Sequence, residues 1–159
     1  MKNYDKNSHL DSWQIEKQIA EVYPELEWHN ADWTGIEQYD SKEKGLPDFS
    51  IRGTNIKIEL QYAKAQYDWV YVQKRRLYEV DNAAGTYGKR KDLKNTFLVL
   101  TNGTWFKVLD LSISHPYKEL DNFQGQRQSF ERVYSLHQSA FAKIDLDIWI
   151  SLQKAISSC

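Results

Sequence analysis

Residues 47–61 read PDFSIRGTNIKIELQ, and this stretch decides how the rest of the chain is interpreted. Apolar and polar side chains alternate on both sides of the Gly-Thr-Asn segment at residues 53–55. Alternation with a period of two is typical of β-strands, and a short segment containing glycine is typical of a hairpin turn. The stretch predicts a β-hairpin formed by residues 48–52 and 55–62, with Asp48 and Glu59 together on its polar face.

A helix is predicted before the hairpin, at residues 11–23. Asp11 and Gln14 have the spacing of a capping box, and Pro24 ends the helix. At about 100° per residue, Glu16 falls within a mostly apolar arc of this helix. A carboxylate on such a side is either paired or partly exposed, or it is directed at a metal centre.

The remaining pattern predicts a mixed sheet with flanking helices. Residues 95–100 contain a dense apolar run, which favours a central strand buried on both faces, and the Asn102-Gly103 dipeptide favours a hairpin turn. The other predicted elements are strands at residues 34–40 and 105–111, helices at 69–82 and 147–157, and a mostly helical stretch at 117–135. We therefore expect a single α/β (α+β) domain over residues 1–159.

Composition excludes several functional classes. The net charge of −1 and a pI near 6.4 do not suit a protein that only coats nucleic acid, which would usually be basic. The single cysteine, Cys159, allows neither an internal disulfide nor a cysteine-based zinc site and fits a reducing cytoplasm. The four histidines have no metal-ligand spacing. We expect a cytoplasmic protein, because residues 1–11 are polar and no apolar run approaches the ~20 residues of a membrane span.

Paired carboxylates on one hairpin face suit the hydrolysis of phosphodiesters. That reaction needs an activated water and neutralisation of the negative charge on the phosphate, and divalent cations provide both. Mg²⁺ prefers oxygen ligands from one or two carboxylates. Asp48 and Glu59 are the expected metal ligands, with the backbone carbonyl of Leu60 as a third and Glu16 positioned to hold a metal-bound water.

Pro47-Asp48, ten intervening residues and then Glu59-Leu60-Gln61 resemble the motif of the PD-(D/E)xK nuclease superfamily. This superfamily includes type II restriction enzymes, Holliday-junction resolvases and some homing endonucleases. The resemblance extends over residues 11–111 and implies a restriction-endonuclease-like αβββαβ core. It also implies Mg²⁺ as cofactor, with Mn²⁺ as a substitute, double-stranded DNA as the partner, and a homodimer or homotetramer.

The sequence departs from that motif where the family has its lysine, because Gln61 stands there. Glutamine cannot take a proton from water, but its amide oxygen can orient one. A lysine from elsewhere in the chain is an alternative, and so is a domain that has lost cleavage. The candidate lysines are Lys57, Lys64 and Lys74.

A basic stretch follows the hairpin. Residues 74–94 contain seven basic and three acidic side chains, although the whole chain is slightly acidic. This clustering indicates contact with phosphates, the alternative being a solvated surface. The expected nucleic-acid contacts are Lys74, Arg75, Arg76, Lys89, Arg90 and Lys91.

Taken together, these patterns predict a Mg²⁺-dependent DNA endonuclease of the restriction or homing type, with Asp48, Glu59, Gln61 and Glu16 at its catalytic site. Three alternatives stay open. They are a junction or structure-selective resolvase, a non-catalytic DNA-binding protein on a degenerate nuclease fold, and a protein-interaction module. The choice between DNA and RNA also stays open.

Overall fold

The computed structural model describes residues 6–35, 41, 44–81, 86–124 and 130–158. Two helices run through these residues, α1 (Lys6–Val22) and α2 (Leu146–Ser157). Neither of them is long and apolar enough to cross a membrane. The strands are β1 (Leu26–Trp28), β2 (Phe49–Ile51), β3 (Lys57–Tyr62), β4 (Trp69–Gln73), β5 (Tyr78–Asp81), β6 (Thr86–Arg90), β7 (Thr96–Thr101), β8 (Phe106–Asp110), β9 (Lys118–Gln124), β10 (Phe130–His137) and β11 (Ala142–Ile144).

The predicted hairpin is present as β2 and β3, which pair antiparallel. Its turn contains Gly53 at a φ of +76°, a backbone conformation that residues other than glycine rarely adopt. Thr54 closes the turn, since its hydroxyl donates to the carbonyl of Ile51 and accepts from the amide of Ile56. The apolar face is buried as the alternation predicted, with Phe49, Ile51, Ile58 and Leu60 all at most 4% exposed.

The main sheet has six strands in the order β1-β2-β3-β7-β8-β11. β3 and β7 are parallel, and every other neighbouring pair in this sheet is antiparallel. The predicted α/β class with a mixed sheet is therefore confirmed. β7 is the central strand that its apolar run predicted, because Leu98 and Val99 are both buried although they point to opposite faces.

Each face of the main sheet has its own apolar core. On one face, Ile58, Leu60 and Val99 pack with Ile19 of α1 and with Trp149 of α2. On the other face, apolar residues of β7 and β8 pack against a three-stranded sheet with the order β4-β10-β9. The main sheet thus lies between a helical layer and a second sheet. The residues joining the second core across the two sheets are Val70, Val72, Leu98, Leu100, Leu109 and Leu136.

The helix predicted at residues 69–82 is wrong. The structure has β4, a short 3-10 turn at Lys74–Arg76 and then β5. The sequence Trp-Val-Tyr-Val at residues 69–72 consists of aromatic and β-branched residues, which favour strands, and exposed and buried residues alternate along it. The connection between the parallel strands β3 and β7 is therefore built from β-structure instead of the helix of an αβββαβ core.

The helical stretch predicted at residues 117–135 is also wrong, because it contains β9 and the start of β10. β10 lies in the middle of the three-stranded sheet, and it has buried residues on both faces, Val133 and Ser135 on one and Leu136 on the other, so the period-two signal is weakened. At the other end of the chain, α1 extends back to Lys6, so Asp11 lies inside the helix and does not cap it. The predicted strand at residues 34–40 lies mostly outside the described residues, and 34 and 35 belong to no strand.

We expect Leu98→Ala to lower the free energy of unfolding by about 2–5 kcal/mol, since it opens a cavity between β7 and the second sheet. Leu152→Ala is the matched control, because that leucine on α2 is 53% exposed whereas Leu98 is fully buried. Urea unfolding of both variants measures the difference. Equal losses of stability would contradict the assignment of β7 to the centre of the fold.

Candidate functional site

Asp48 directly precedes β2, at the point where β2 and β3 stop pairing. The last antiparallel pair joins Phe49 to Ile58. Two residues further along β3, the amide of Leu60 donates a hydrogen bond of 2.8 Å to Asp48 Oδ2. The carboxylate therefore takes the position that a backbone carbonyl of β2 would have in a longer ladder. This bond fixes Asp48, which is 6% exposed, against the edge of β3.

The carbonyl of Leu60 points to the same side of β3 as its amide, because both backbone groups of a strand residue face one neighbour in an extended ladder. Residues of the opposite parity face β7, as shown by the amide of Lys57, which donates to the carbonyl of Asn95. The backbone of Leu60 faces away from β7. Its carbonyl oxygen is therefore directed toward the side on which the Asp48 carboxylate lies.

Asn30 connects Asp48 to the first helix. Its Nδ2 donates to Asp48 Oδ1 at 2.9 Å and to Glu16 Oε1 at 2.8 Å, and its Oδ1 accepts from the amide of Ser41 at 2.8 Å. The backbone carbonyl of Asn30 accepts from Trp13 Nε1 of α1. Asn30 is fully buried, and each of its amide atoms has a partner. The residue fixes the distance between two carboxylates that come from different segments.

Glu16 on α1 is the most deeply buried carboxylate of the site, with no exposed surface. Its Oε1 accepts from Trp28 Nε1 at 2.9 Å as well as from Asn30, but its Oε2 has no hydrogen-bond partner in the described part of the chain. Burial, followed by the negative charge of Asp48, raises the pKa of Glu16 well above its usual value. The hydrogen bonds from Asn30 and Trp28 oppose this rise.

Glu59 on β3 completes the group of three carboxylates. Burial raises its pKa to about 8, and the neighbouring charge of Asp48 and a hydrogen bond shared with it act in the same direction. Arg76 opposes the rise, with its guanidinium 3.4 Å from Glu59 Oε2. Glu59 and Asp48 therefore meet, as their parity predicted, and the charge of Asp48 favours the protonated form of Glu59.

Gln61 lies on the same strand face as Glu59, two residues further on. Its Nε2 donates to the backbone carbonyl of Tyr71 in β4 at 3.0 Å. β4 is an edge strand of the second sheet, so this bond satisfies an acceptor at an otherwise open edge. The amide nitrogen of Gln61 thus joins the two sheets at the site.

The cationic groups that affect the pKa of Glu59 are Arg76 and Lys91. Arg76 comes from the 3-10 turn after β4, and Lys91 directly follows β6. Partial removal from water lowers the pKa of Lys91, and the charge of Arg76 lowers it further. Three lysines were predicted as substitutes for the lysine that Gln61 replaces in the motif. Lys57 and Lys64 are exposed, and Lys74 is enclosed by tyrosine rings.

Lys74 is the enclosed one. Its ammonium pairs with the carboxylate of Glu119 and lies 5.2–5.7 Å from the ring centroids of Tyr78, Tyr87 and Tyr134, a group that we call the tyrosine cage. Such contacts are attractive between a cation and an aromatic face. The cage therefore anchors the turn that carries Arg76, and the charge of Lys74 is directed inward.

The other basic residues of the predicted phosphate-contact set differ in their environments. Arg75 donates from Nε to Gln73 Oε1 at 2.7 Å, and Arg90 donates to the backbone carbonyl of Leu111 at 3.2 Å. Lys89 is exposed on β6. Arg75, Arg90 and Lys89 thus carry cationic groups on the segment that leads from β4 to β7.

The donor set suits a hard divalent cation. Mg²⁺ is commonly held by one or two carboxylates, with water and phosphate oxygens completing its shell. A cation here would offset the repulsion between Asp48 and Glu59, and its bound water would give a partner to Glu16 Oε2, which has none within the described residues. In the described residues, no group of three His, Cys, Asp or Glu side chains is arranged to hold a metal ion by itself. A cation here would therefore also depend on the Leu60 carbonyl, water and substrate.

Sequence reasoning missed the residues that organise this site. Asn30, Trp28 and Ser41 all contact its carboxylates, and none belongs to a motif. Asn30 follows the short strand β1, which was not predicted. The only available signal was the position of polar residues soon after the aromatic Trp28, and that pattern is common in loops.

Comparisons with known proteins were made for the whole chain. No family model, no curated protein and no solved structure matches it. Any conclusion about function therefore depends on the geometry of the site.

We expect Asn30→Ala to lower the free energy of unfolding by about 1–3 kcal/mol, because it leaves Glu16 and Asp48 without a buried donor. Asn30→Asp should be at least as harmful at neutral pH, since it adds a further carboxylate. Asn55→Ala, on the exposed hairpin turn, is the matched control. Chemical denaturation measures all three variants, and a stable Asn30→Asp protein would refute the bridging role.

The stability of the metal-free protein should depend on pH through Glu59. Its pKa is raised from 4.5 to about 8 in the folded state, so between these values the folded protein binds more protons than the unfolded chain. Stability should therefore fall as the pH rises through this window. Urea midpoints in EDTA measure the effect.

Two variants test the assignment of this pH dependence to Glu59. Glu59→Gln should reduce the slope of stability against pH, and Glu16, whose pKa is also raised, would account for the remainder. Glu21→Gln, on the exposed side of α1, should leave the slope unchanged. Stability that rises with pH between 4.5 and 8 in the wild type would contradict the assignment.

Proposed function

We propose that the protein is a Mg²⁺-dependent endonuclease that hydrolyses phosphodiester bonds in DNA. One observation carries this proposal: Asp48, Glu59 and Glu16 converge from three separate segments, although mutual repulsion and burial oppose their meeting. A fold retains such a cluster at a cost in stability. Binding of a divalent cation during function is the physical reason that best accounts for it.

Each carboxylate has a separate role in the proposal. Asp48, Glu59 and the Leu60 carbonyl would hold the cation, and Glu16 Oε2 would accept a hydrogen bond from a water beside it. When bound, the cation lowers the pKa of a water molecule and neutralises negative charge on the phosphate. Asn30 holds the carboxylates of Glu16 and Asp48 at a fixed separation, so the water and the cation would be positioned together.

In this proposal, Gln61 and Arg76 share the role that the lysine has in the PD-(D/E)xK motif. Gln61 uses its nitrogen to bind Tyr71, which leaves positioning of water to its Oε1. Arg76 places a permanent positive charge beside Glu59, but a guanidinium does not take up a proton at neutral pH. Arg76 would therefore stabilise negative charge on the phosphate, and proton removal would depend on the carboxylates and the cation.

The finer features of the proposal come from the resemblance to restriction and homing enzymes. Sequence-specific cleavage of both strands would require two copies of the site, which a homodimer or homotetramer supplies. Arg75, Lys89 and Arg90 are the groups that would contact phosphates outside the cleaved bond.

A second candidate function is binding of DNA without cleavage. It is favoured by the hydrogen-bonding of Asp48, whose two oxygens both have donors within the protein. It is also favoured by the lack, within the described residues, of three metal-ligating side chains in one group. A junction or structure-selective resolvase is the closest catalytic alternative.

We expect the purified protein to cleave DNA in Mg²⁺ and to be inactive in EDTA. Asp48→Asn should reduce the rate by more than the roughly 10- to 100-fold that loss of an outer-sphere partner costs in metal enzymes. Asp32→Asn is the matched control, because Asp32 is exposed. Gel assays on a duplex library and on a four-way junction measure the activity and separate the subtypes.

Cleavage that survives in Asp48→Asn would disprove the proposed site. Binding of DNA with a steep dependence on salt, but with no cleavage by the wild type in Mg²⁺ or Mn²⁺, would establish the second candidate instead.

A further inference from the structure

Three large aromatic side chains are exposed together at the start of the second sheet. Trp69 and Tyr71 are two residues apart on β4 and therefore point to the same face, with 51% and 41% of their surface exposed. Tyr67, which is 58% exposed, precedes them in the connection from β3. Val70 and Val72 point the opposite way into the core. We call the face that carries Trp69 and Tyr71 the aromatic face.

The aromatic face is ordered by contacts across the sheet. The ring of Trp69 lies 5.2 Å from that of His137, its partner in the β4–β10 ladder, with the planes at 83°. This edge-on contact holds the indole in one orientation while half of its surface stays exposed. Strand geometry places side chains two residues apart at about 7 Å, so the rings are spaced along a line.

Cationic groups flank these rings on the same face. Ser135 lies opposite Tyr71 on one side and opposite Lys118 on the other, so Lys118 shares the face and is exposed. Gln73, two residues after Tyr71, holds the Nε of Arg75 at 2.7 Å. The carboxylate nearest in sequence to Trp69 is Asp68, and it accepts from the side chain of Gln138. Aromatic rings and positive charge therefore occur side by side.

The strand that carries the aromatic face is bonded to the candidate active site. The carbonyl of Tyr71 accepts from Gln61 at 3.0 Å, and Gln61 is two residues from Glu59 on one strand face. A nucleic-acid strand whose phosphate lies at Glu59 would need to extend only a short distance to bring its neighbouring bases over β4.

We infer that the aromatic face binds unpaired bases of the nucleic-acid substrate by stacking, with Trp69 and Tyr71 as the stacking residues. This inference rests on the proposed function for the identity of the substrate. Exposed aromatic rings beside cationic groups are the usual means of binding single strands, because every base offers a π-face when it is unpaired. Bases within a duplex are stacked on each other and offer no free face. The inferred substrate is therefore duplex DNA that has a single-stranded segment next to the cleaved phosphate.

Binding in EDTA tests the inference separately from cleavage. The probes are a fluorescent oligothymidine and a fluorescent duplex of the same length, with affinity measured by anisotropy. We expect the oligothymidine to bind more tightly than the duplex. Trp69→Ala and Tyr71→Ala should each weaken oligothymidine binding roughly tenfold, whereas Trp69→Phe keeps most of it. Duplex affinity should change less than about twofold in these variants.

The salt dependence of binding separates stacking from charge. Trp69→Ala should leave the slope of affinity against salt unchanged, because it removes no phosphate contact, and Lys118→Gln should reduce that slope by about one. Leu152→Ala, which alters an equally exposed apolar residue on α2, is the matched control and should bind normally. If Trp69→Ala fails to fold by circular dichroism, Tyr71→Ala carries the test, because it removes the second stacking residue of the same face.

Several outcomes would overturn the inference. These are equal affinity for both probes, binding to neither, an unchanged affinity in Trp69→Ala and Tyr71→Ala, or an aromatic face that proves to mediate self-association in sedimentation. If binding depends on Trp69 but the protein shows no Mg²⁺-dependent cleavage, the inference is supported and only the proposed nuclease activity is disproved. If cleavage depends on Asp48 but not on the aromatic residues, only the inference is disproved.

Discussion

The amide of Asn30 is the constraint on which the site depends. Carboxylates repel each other and lose solvation when buried, so Glu16 and Asp48 would separate unless a donor held them. One nitrogen of Asn30 donates to both. Its carbonyl oxygen and its backbone carbonyl are bonded in turn to Ser41 and Trp13, so the donor itself cannot rotate. The first helix, the loop after β1 and the start of the hairpin are thereby joined at one buried side chain.

The parallel pairing of β3 and β7 determines what surrounds this centre. Parallel neighbours require a long connection, and here the connection contains β4, one of the three strands of the second sheet, and the β5–β6 pair. Because the connection begins at the end of β3, just beyond Glu59 and Gln61, its first segments lie against the site. Arg76 and the carbonyl of Tyr71 reach Glu59 and Gln61 from this connection. The tyrosine cage around Lys74 keeps the turn that supplies Arg76 in place.

The parts of the fold with a simple period could be predicted from the sequence. The hairpin and helix α2 each bury one face, and the central strand β7 is apolar on both faces. The pattern of apolar residues in each of these elements was therefore clear. β10 could not be recognised, because Val133, Ser135 and Leu136 are buried although they do not all share one face, which weakens the alternation. β4 was mistaken for a helix although its exposed and buried residues alternate, since valines and aromatic residues also fit a short apolar helical arc.

The candidate site also contains residues that could be predicted from the sequence and residues that could not. Asp48, Glu59 and Glu16 could be found because parity and helical position are local properties of the chain. Asn30 could not, since its importance comes from two partners 14 and 18 residues away and no periodicity marks it. The interactions of Lys74 and Arg76 depend on β9 and β3, which lie far from them in sequence, and only the folded chain reveals them.

The bond from Gln61 to the edge of β4 also bears on the solubility of the protein. An edge strand with open carbonyls and exposed aromatic residues is a template on which another chain can add a strand, which leads to aggregation. Gln61 occupies one of these acceptors with a side chain that belongs to the site. Gln61 thereby protects this part of the edge, so its side chain bears on the colloidal behaviour of the protein as well as on the candidate site.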